Sequence, residues 1–305
     1  MSILVASNFQ WVVISTLLLG VASGVTGCLA YWKKQSLMSD ALSHAALPGV
    51  AIAFLLFQVK DLIILIIGAS VSALLGAFFI MLIKATTRLT EDTAMGMILA
   101  VFFGGGIVLL PFVNRTGSGN QAGLDGFIFG QAASMVKTDV ILLSFLAAFV
   151  TLIVMIGFKE WKLFLFDPDF AKGLNLSLKT MNIVYLLILV VTIVIGIQAV
   201  GVILMSALLI IPPVSARYWT HSFKTMMWLS GVFGGISGAI GTTISALGSG
   251  WPTGPFIVLT SGILFLLSLL FGLKKGLLVE YLFLRRKKRE VHHIVSSVIV
   301  KEGRR

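Results

Sequence analysis

Residues 182–219 read NIVYLLILVVTIVIGIQAVGVILMSALLIIPPVSARYW. No charge interrupts the run before Arg217. It is too long for one crossing of a hydrocarbon core about 30 Å thick. We divide it around Gln198–Gly201, its least apolar point, into two spans. That division decides whether the chain crosses an odd or an even number of times.

Other apolar runs of helical length fall at 11–32, 39–57, 61–83, 94–113, 139–158, 225–245 and 254–273. With the divided run they predict an all-α polytopic membrane protein of about nine spans. Short re-entrant pieces leave eight or ten open. Composition agrees: 58% of the 305 residues are hydrophobic and 11% charged, whereas soluble domains are about a quarter charged. Residues 1–275 read as the transmembrane domain and 276–305 as a basic tail.

The net charge of +11 does not point to nucleic acid, because the cations flank apolar runs or crowd the tail. Grouped by alternate connections they divide twenty to three, or ten to three without the tail. The larger group includes Lys33, Lys34, Lys84, Arg88, Arg217 and Lys224. The positive-inside rule then places the N-terminus outside and the C-terminus in the cytoplasm. Cys28 is the one cysteine, so no intrachain disulfide forms. VTGC at 25–28 has a faint look of a lipidation site, but no basic n-region precedes it. The first apolar run reads as a retained span.

Two connections stand out. Residues 114–139 form a polar, Gly-rich outer loop whose DGFIFGQAAS part is too short to span and lies at the interface or re-enters. Residues 159–180 form the longest inner connection between spans. There the turn DPD at 167–169 leads into a short amphipathic piece ending near Gly173, a natural docking surface for a cytoplasmic partner. Pairs such as Gly20 and Gly24, Gly231 and Gly235, and Gly234 and Gly238 permit close helix contact. Packing inside one subunit is favoured over a dimer seam.

Polar residues within the spans are few. Asp40 and His44 stand four apart, on one helix face and one turn from each other. An Asp at mid-span costs roughly 2.5–3.5 kcal/mol on insertion scales, a cost that marks substrate or ion paths. Pro48 has no N–H, so the carbonyl of His44 is left free. Carboxylate, imidazole and carbonyl on one turn suit a borderline divalent ion such as Mn²⁺, Fe²⁺ or Zn²⁺. The alternative is that Asp40 caps the helix at the boundary and His44 only packs. Glu91 and Asp92 read as first-turn acids complementing a helix dipole. Pro212 and Pro213 break the seventh span as a kink or gate, or end it. His292 and His293, in the tail, are a pair without partners. The phosphate loop GxxxxGK[ST] is absent, so the chain is no ATPase and any ATP-driven transport needs another chain.

SLMSDALSHAALPGVAIAFLL at 36–56 resembles the membrane subunits of bacterial ABC importers for manganese, zinc and iron, the ABC-3 permease family. EDTAMGMILAVFF at 91–103, FGQAAS at 129–134, FDPDFAKGLNL at 166–176 and GVILMSALLIIPPVSAR at 201–217 extend the resemblance over about residues 10–275. It implies an architecture like the cobalamin-importer permeases and a bacterial plasma-membrane location. It implies a homodimer with two cytoplasmic ATP-binding subunits and an extracellular solute-binding protein. By the same resemblance Asp40 and His44 handle the metal, and Asp167, Asp169, Phe170, Ala171 and Gly173 couple to the ATPase. A twofold axis near the second helix would bring two copies of the pair together. The cargo is a transported divalent metal, manganese first and zinc or iron as alternatives, with no permanently bound cofactor. The tail with LRRKKREVHH is longer than the resemblance leads one to expect; it reads as an anchor or as a contact with the ATPase.

Overall fold

The computed structural model describes residues 7–58, 61–115, 135–248 and 251–279. Nine long helices among them run alternately up and down. They are α1 (Ser7–Trp32), α2 (Ser36–Phe57), α3 (Leu62–Thr86), α4 (Glu91–Arg115) and α5 (Lys137–Ile156), then α8 (Leu178–Val200), α9 (Val202–Arg217), α10 (Phe223–Ser245) and α11 (Thr253–Phe271). Two short helices, α6 (Phe158–Phe166) and α7 (Pro168–Gly173), lie between α5 and α8. Eight of the nine are long and apolar enough to cross a membrane; α9, of 16 residues, is the shorter ninth. The described chain therefore starts and ends at opposite ends of the bundle. The 129–134 motif and the tail beyond Val279 lie outside the described residues, as do Lys60, His292 and His293.

The division of the 182–219 run falls at Gly201. Its φ of 95° and ψ of 160° are a conformation essentially confined to glycine. Its N–H bonds the Ile197 carbonyl at 2.9 Å, and its carbonyl accepts from Met205 N–H at 3.1 Å. One residue thus closes α8 and opens α9. The two helices fold back so closely that a Cβ on Gly196 would lie 2.0 Å from the Met205 sulfur.

Tight reversals recur where α1 meets α2. Lys34 adopts φ 59°. Gln35 N–H bonds the Ala30 carbonyl and Lys34 N–H bonds that of Tyr31, at 2.9 and 3.1 Å. This is the Schellman closure, and three residues turn the chain around. Elsewhere side chains cap the helices. Asp61 accepts from Ile63 N–H at 2.9 Å to start α3, and Ser177 accepts from Thr180 N–H at 3.3 Å to start α8.

α1, α2 and α8 form the centre and bury most of their residues, while α3, α4, α5 and α11 surround them. On the outer helices Val101, Phe145, Ile156 and Leu259 are more than half exposed. Apolar side chains turned outward suit hydrocarbon, and every span is a helix that satisfies its own backbone. The glycine pairs hold α1 against α10 within this one chain, as expected. A Cβ on Gly20, Gly24, Gly234 or Gly238 would sit 2.0–2.1 Å from a carbonyl oxygen of the facing helix.

Candidate metal centre

Asp40 and His44 lie on α2, about 6 and 12 Å along the axis from its first residue. The N-cap is Gln35, and no side chain bonds there, so Asp40 does not cap the helix. The Nε2 of His44 stands 3.6 Å from the Oδ1 of Asp40. That is too long for a good hydrogen bond. It suits two ligands of one ion: bonds of about 2.1 Å at the tetrahedral angle separate donor atoms by about 3.4 Å. The Asp40 side chain is 34% exposed and that of His44 14%. The His44 Nδ1 is buried without a hydrogen-bond partner.

Phe103 of α4 sets the plane of the imidazole. The two rings meet edge to face, 4.7 Å between centroids and 74° between planes. Farther along, Gly106 admits Leu47 of α2, since a Cβ there would lie 2.7 Å from its side chain. The contact with Phe103 went unread in the sequence. The FFGGG run at 102–106 was its only signal.

Pro48 lies inside α2 without ending it. On the other flank of the helix, Ser72 Oγ donates to the Ala45 carbonyl at 2.7 Å. Among the described residues no group of three or more His, Cys, Asp and Glu could hold a metal. The single chain therefore brings one carboxylate and one imidazole together here.

Pro212 and Pro213 do not end their helix. α9 runs through both to Arg217. The lost N–H of Pro213 leaves the Leu209 carbonyl without its i+4 donor, and that oxygen faces α1. A Cβ on Gly27 would lie 1.9 Å from it and 3.1 Å from the Pro213 ring. Close packing against α1 supports the helix where the ladder is interrupted.

The 167–173 segment forms a turn and a short helix ending at Gly173, as expected, and lies at the end of the bundle where α1 meets α2. Asp167 caps α7 by accepting from Phe170 N–H at 3.1 Å, and Pro168 occupies the first turn. Asp169 pairs with Lys172 at 2.9 Å. Leu176 N–H reaches back to the Ala171 carbonyl at 3.0 Å, over Asn175 at φ 64°. Ala171 is buried, whereas Phe170 is 56% exposed and Gly173 faces open space. Phe166, just before the cap, meets the Trp32 ring at 4.7 Å and that of Phe223 at 5.5 Å. Trp32 closes α1 three residues before Gln35. Aromatic contact thus ties the exposed segment to the turn that starts α2.

The family model described as the ABC 3 transport family matches residues 6–272. This chain belongs to that family. It is 45% identical over 282 residues to the manganese transport system membrane protein MntC of Bacillus subtilis. That match covers 92% of this chain and 65% of the relative's own length. The zinc transport system membrane protein TroC of Treponema pallidum is 42% identical, over 92% of this chain and 94% of TroC. Among solved structures, PsaBC from Streptococcus pneumoniae in complex with Fab superposes with a TM-score of 0.78. It is 31% identical, over 92% of this chain and 97% of that one. These matches agree with the resemblance read from the sequence, including its manganese and zinc members.

Proposed function

We propose that this chain is the membrane-spanning permease subunit of an ATP-driven ABC importer for divalent transition-metal ions, manganese foremost. The observation that carries the reading is the Asp40–His44 pair, 3.6 Å apart on one face of α2 and beside no third ligand among the described residues. A second copy supplies what is missing. Two carboxylates balance one divalent ion, and two imidazoles complete four ligands. The 34% exposure of Asp40 in the single chain leaves it reachable from a partner.

Charge asymmetry supports an N-terminus outside and a C-terminus in the cytoplasm of a bacterial plasma membrane. The α6–α7 segment then faces the cytoplasm. Each copy presents Phe170 to one of two ATP-binding subunits, and an extracellular binding protein delivers the ion. A hard carboxylate without thiolate favours manganese. The 42% identity to a zinc-system membrane protein keeps zinc as the second reading.

The test uses the full transporter in proteoliposomes, with its ATPase and binding protein. Asp40→Ala and His44→Ala are each expected to lower Mn²⁺ uptake by about 100-fold or more while assembly persists. Unchanged metal occupancy and uptake in both variants would sink the site. Uptake that proceeds without the ATPase, driven by an ion gradient, would sink the class.

A further inference from the structure

At the end of the bundle where α2 begins, side chains from five helix ends and turns converge. Glu91 of α4 accepts through one carboxylate oxygen from the Gln35 amide and through the other from Lys84 of α3. Lys33 donates to the Asn182 side-chain oxygen and sits over the Tyr185 ring, 4.1 Å from its centroid, both residues being on α8. Its Nζ is also 5.4 Å from the Phe164 ring of α6. The Tyr185 hydroxyl and the side-chain amide oxygen of Gln35 are buried with no hydrogen-bond partner. Tyr185 is 1% exposed and Gln35 8%.

Buried oxygens without donors are costly. Here they stand beside a carboxylate and an amide oxygen that two tethered ammonium groups already occupy. A cluster of hard oxygens filled by the chain's own cations has the chemistry of a cation site. Gln35 precedes Asp40 by five residues, about 7.5 Å along α2.

We propose that Glu91, Gln35, Asn182 and Tyr185 form a second site for a hard divalent cation, held in this conformation by the ammonium groups of Lys33 and Lys84. The proposal rests on reading Asp40 and His44 as the metal path, of which it is the next station toward this end of the bundle. Lys33 touches α6, so movement of the α6–α7 segment withdraws the resident cation and opens the oxygens to the ion. Its return closes the path behind.

The experiment takes the full chain, purified in detergent, in an Asp40→Ala/His44→Ala background, and titrates it with Mn²⁺ read by electron paramagnetic resonance of the free ion. Lys33→Gln is expected to bind an additional equivalent, about tenfold more tightly than the background does. Lys33→Arg keeps the cation and gains nothing, and Lys33→Gln/Glu91→Gln loses the gain. Lys84→Gln, at a 54% exposed side chain, gives a smaller gain. The proposal is overturned if neither Lys33→Gln nor Lys84→Gln binds more Mn²⁺ than the background, or if the gain survives Glu91→Gln. Because the background lacks Asp40 and His44, the result stands apart from whether that pair binds metal.

Discussion

The α1–α10 seam and the α2–α4 face use glycine to opposite ends. Along the seam, four glycines admit a carbonyl oxygen of the other helix, and Thr16 hydrogen-bonds both Thr242 at 2.9 Å and the Gly238 carbonyl at 3.3 Å. The apolar core of α1 is 72% buried. In α4 that figure is 17%, and a Cβ added at Gly96, Gly104 or Gly105 would meet nothing within 4 Å. The seam is complete in one chain. α4, which carries Phe103 against His44, is far less covered by its own chain. In hydrocarbon, helices gain from close backbone contact rather than from hiding apolar area. Under the proposed function, this thinly covered helix beside the Asp40–His44 pair is a surface that a second copy can cover.

The largest effect expected from this contrast is at the seam. In Gly234→Leu the new Cβ would meet the Gly20 carbonyl at 2.0 Å, and backbone cannot step aside as a side chain can. Overpacking of this kind costs about 3 kcal/mol or more, so size-exclusion chromatography should show little monodisperse protein. Gly105→Leu places the same side chain in open space. It should leave the melting temperature of the single chain within about 2 °C yet reduce crosslinked dimer. Equal damage from the two substitutions would remove the distinction between the regions.

A smaller effect is expected at the ring contact. Phe103→Ala leaves His44 free to rotate away from Asp40. Losing such an orienting neighbour weakens metal sites by roughly 10–100-fold, and the lower part of that range fits a contact without a hydrogen bond. Mn²⁺ titration should show the weakening, and Phe103→Tyr, which keeps the ring edge, should restore most of it. If Phe103→Ala lowers only the melting temperature, the ring is packing and nothing more.

Much of the frame was legible because its signals are local. The break around Gln198–Gly201 was legible as the least apolar point of its run, and it falls at Gly201, where the backbone angle needs glycine. Asp40 and His44 were found by a spacing that any helix turns into one face. The α6 helix does not show in the sequence, where 159–166 mixes charged, aromatic and aliphatic residues. Only tertiary contact buries Trp161, to 2% exposure, and makes the piece a helix. Phe103 was invisible for a related reason: the register between α2 and α4 is set by Gly106 receiving Leu47, which no spacing within either helix reveals. The double proline does not end α9, because the rule against interior proline concerns an isolated helix, whereas Gly27 brings α1 against the interrupted turn.

The smallest effect tests how far the open side depends on polar contacts at all. Ser72 of α3 donates to the Ala45 carbonyl, in the turn where Pro48 already removes one donor from α2. A second bond to that oxygen steadies a thinned ladder. Its worth is bounded by the net value of a buried hydrogen bond, about 1 kcal/mol, and averages nearer 0.6 kcal/mol between membrane helices. Ser72→Ala should therefore lower the melting temperature by only about 1–3 °C and leave Mn²⁺ affinity unchanged. A Cβ on Gly49 would lie 2.1 Å from the Gly68 carbonyl, so α2 and α3 are held by backbone contact whatever residue 72 carries. A loss of metal binding in Ser72→Ala would mean instead that this bond, and not the Gly49–Gly68 contact, keeps the Asp40–His44 turn in register.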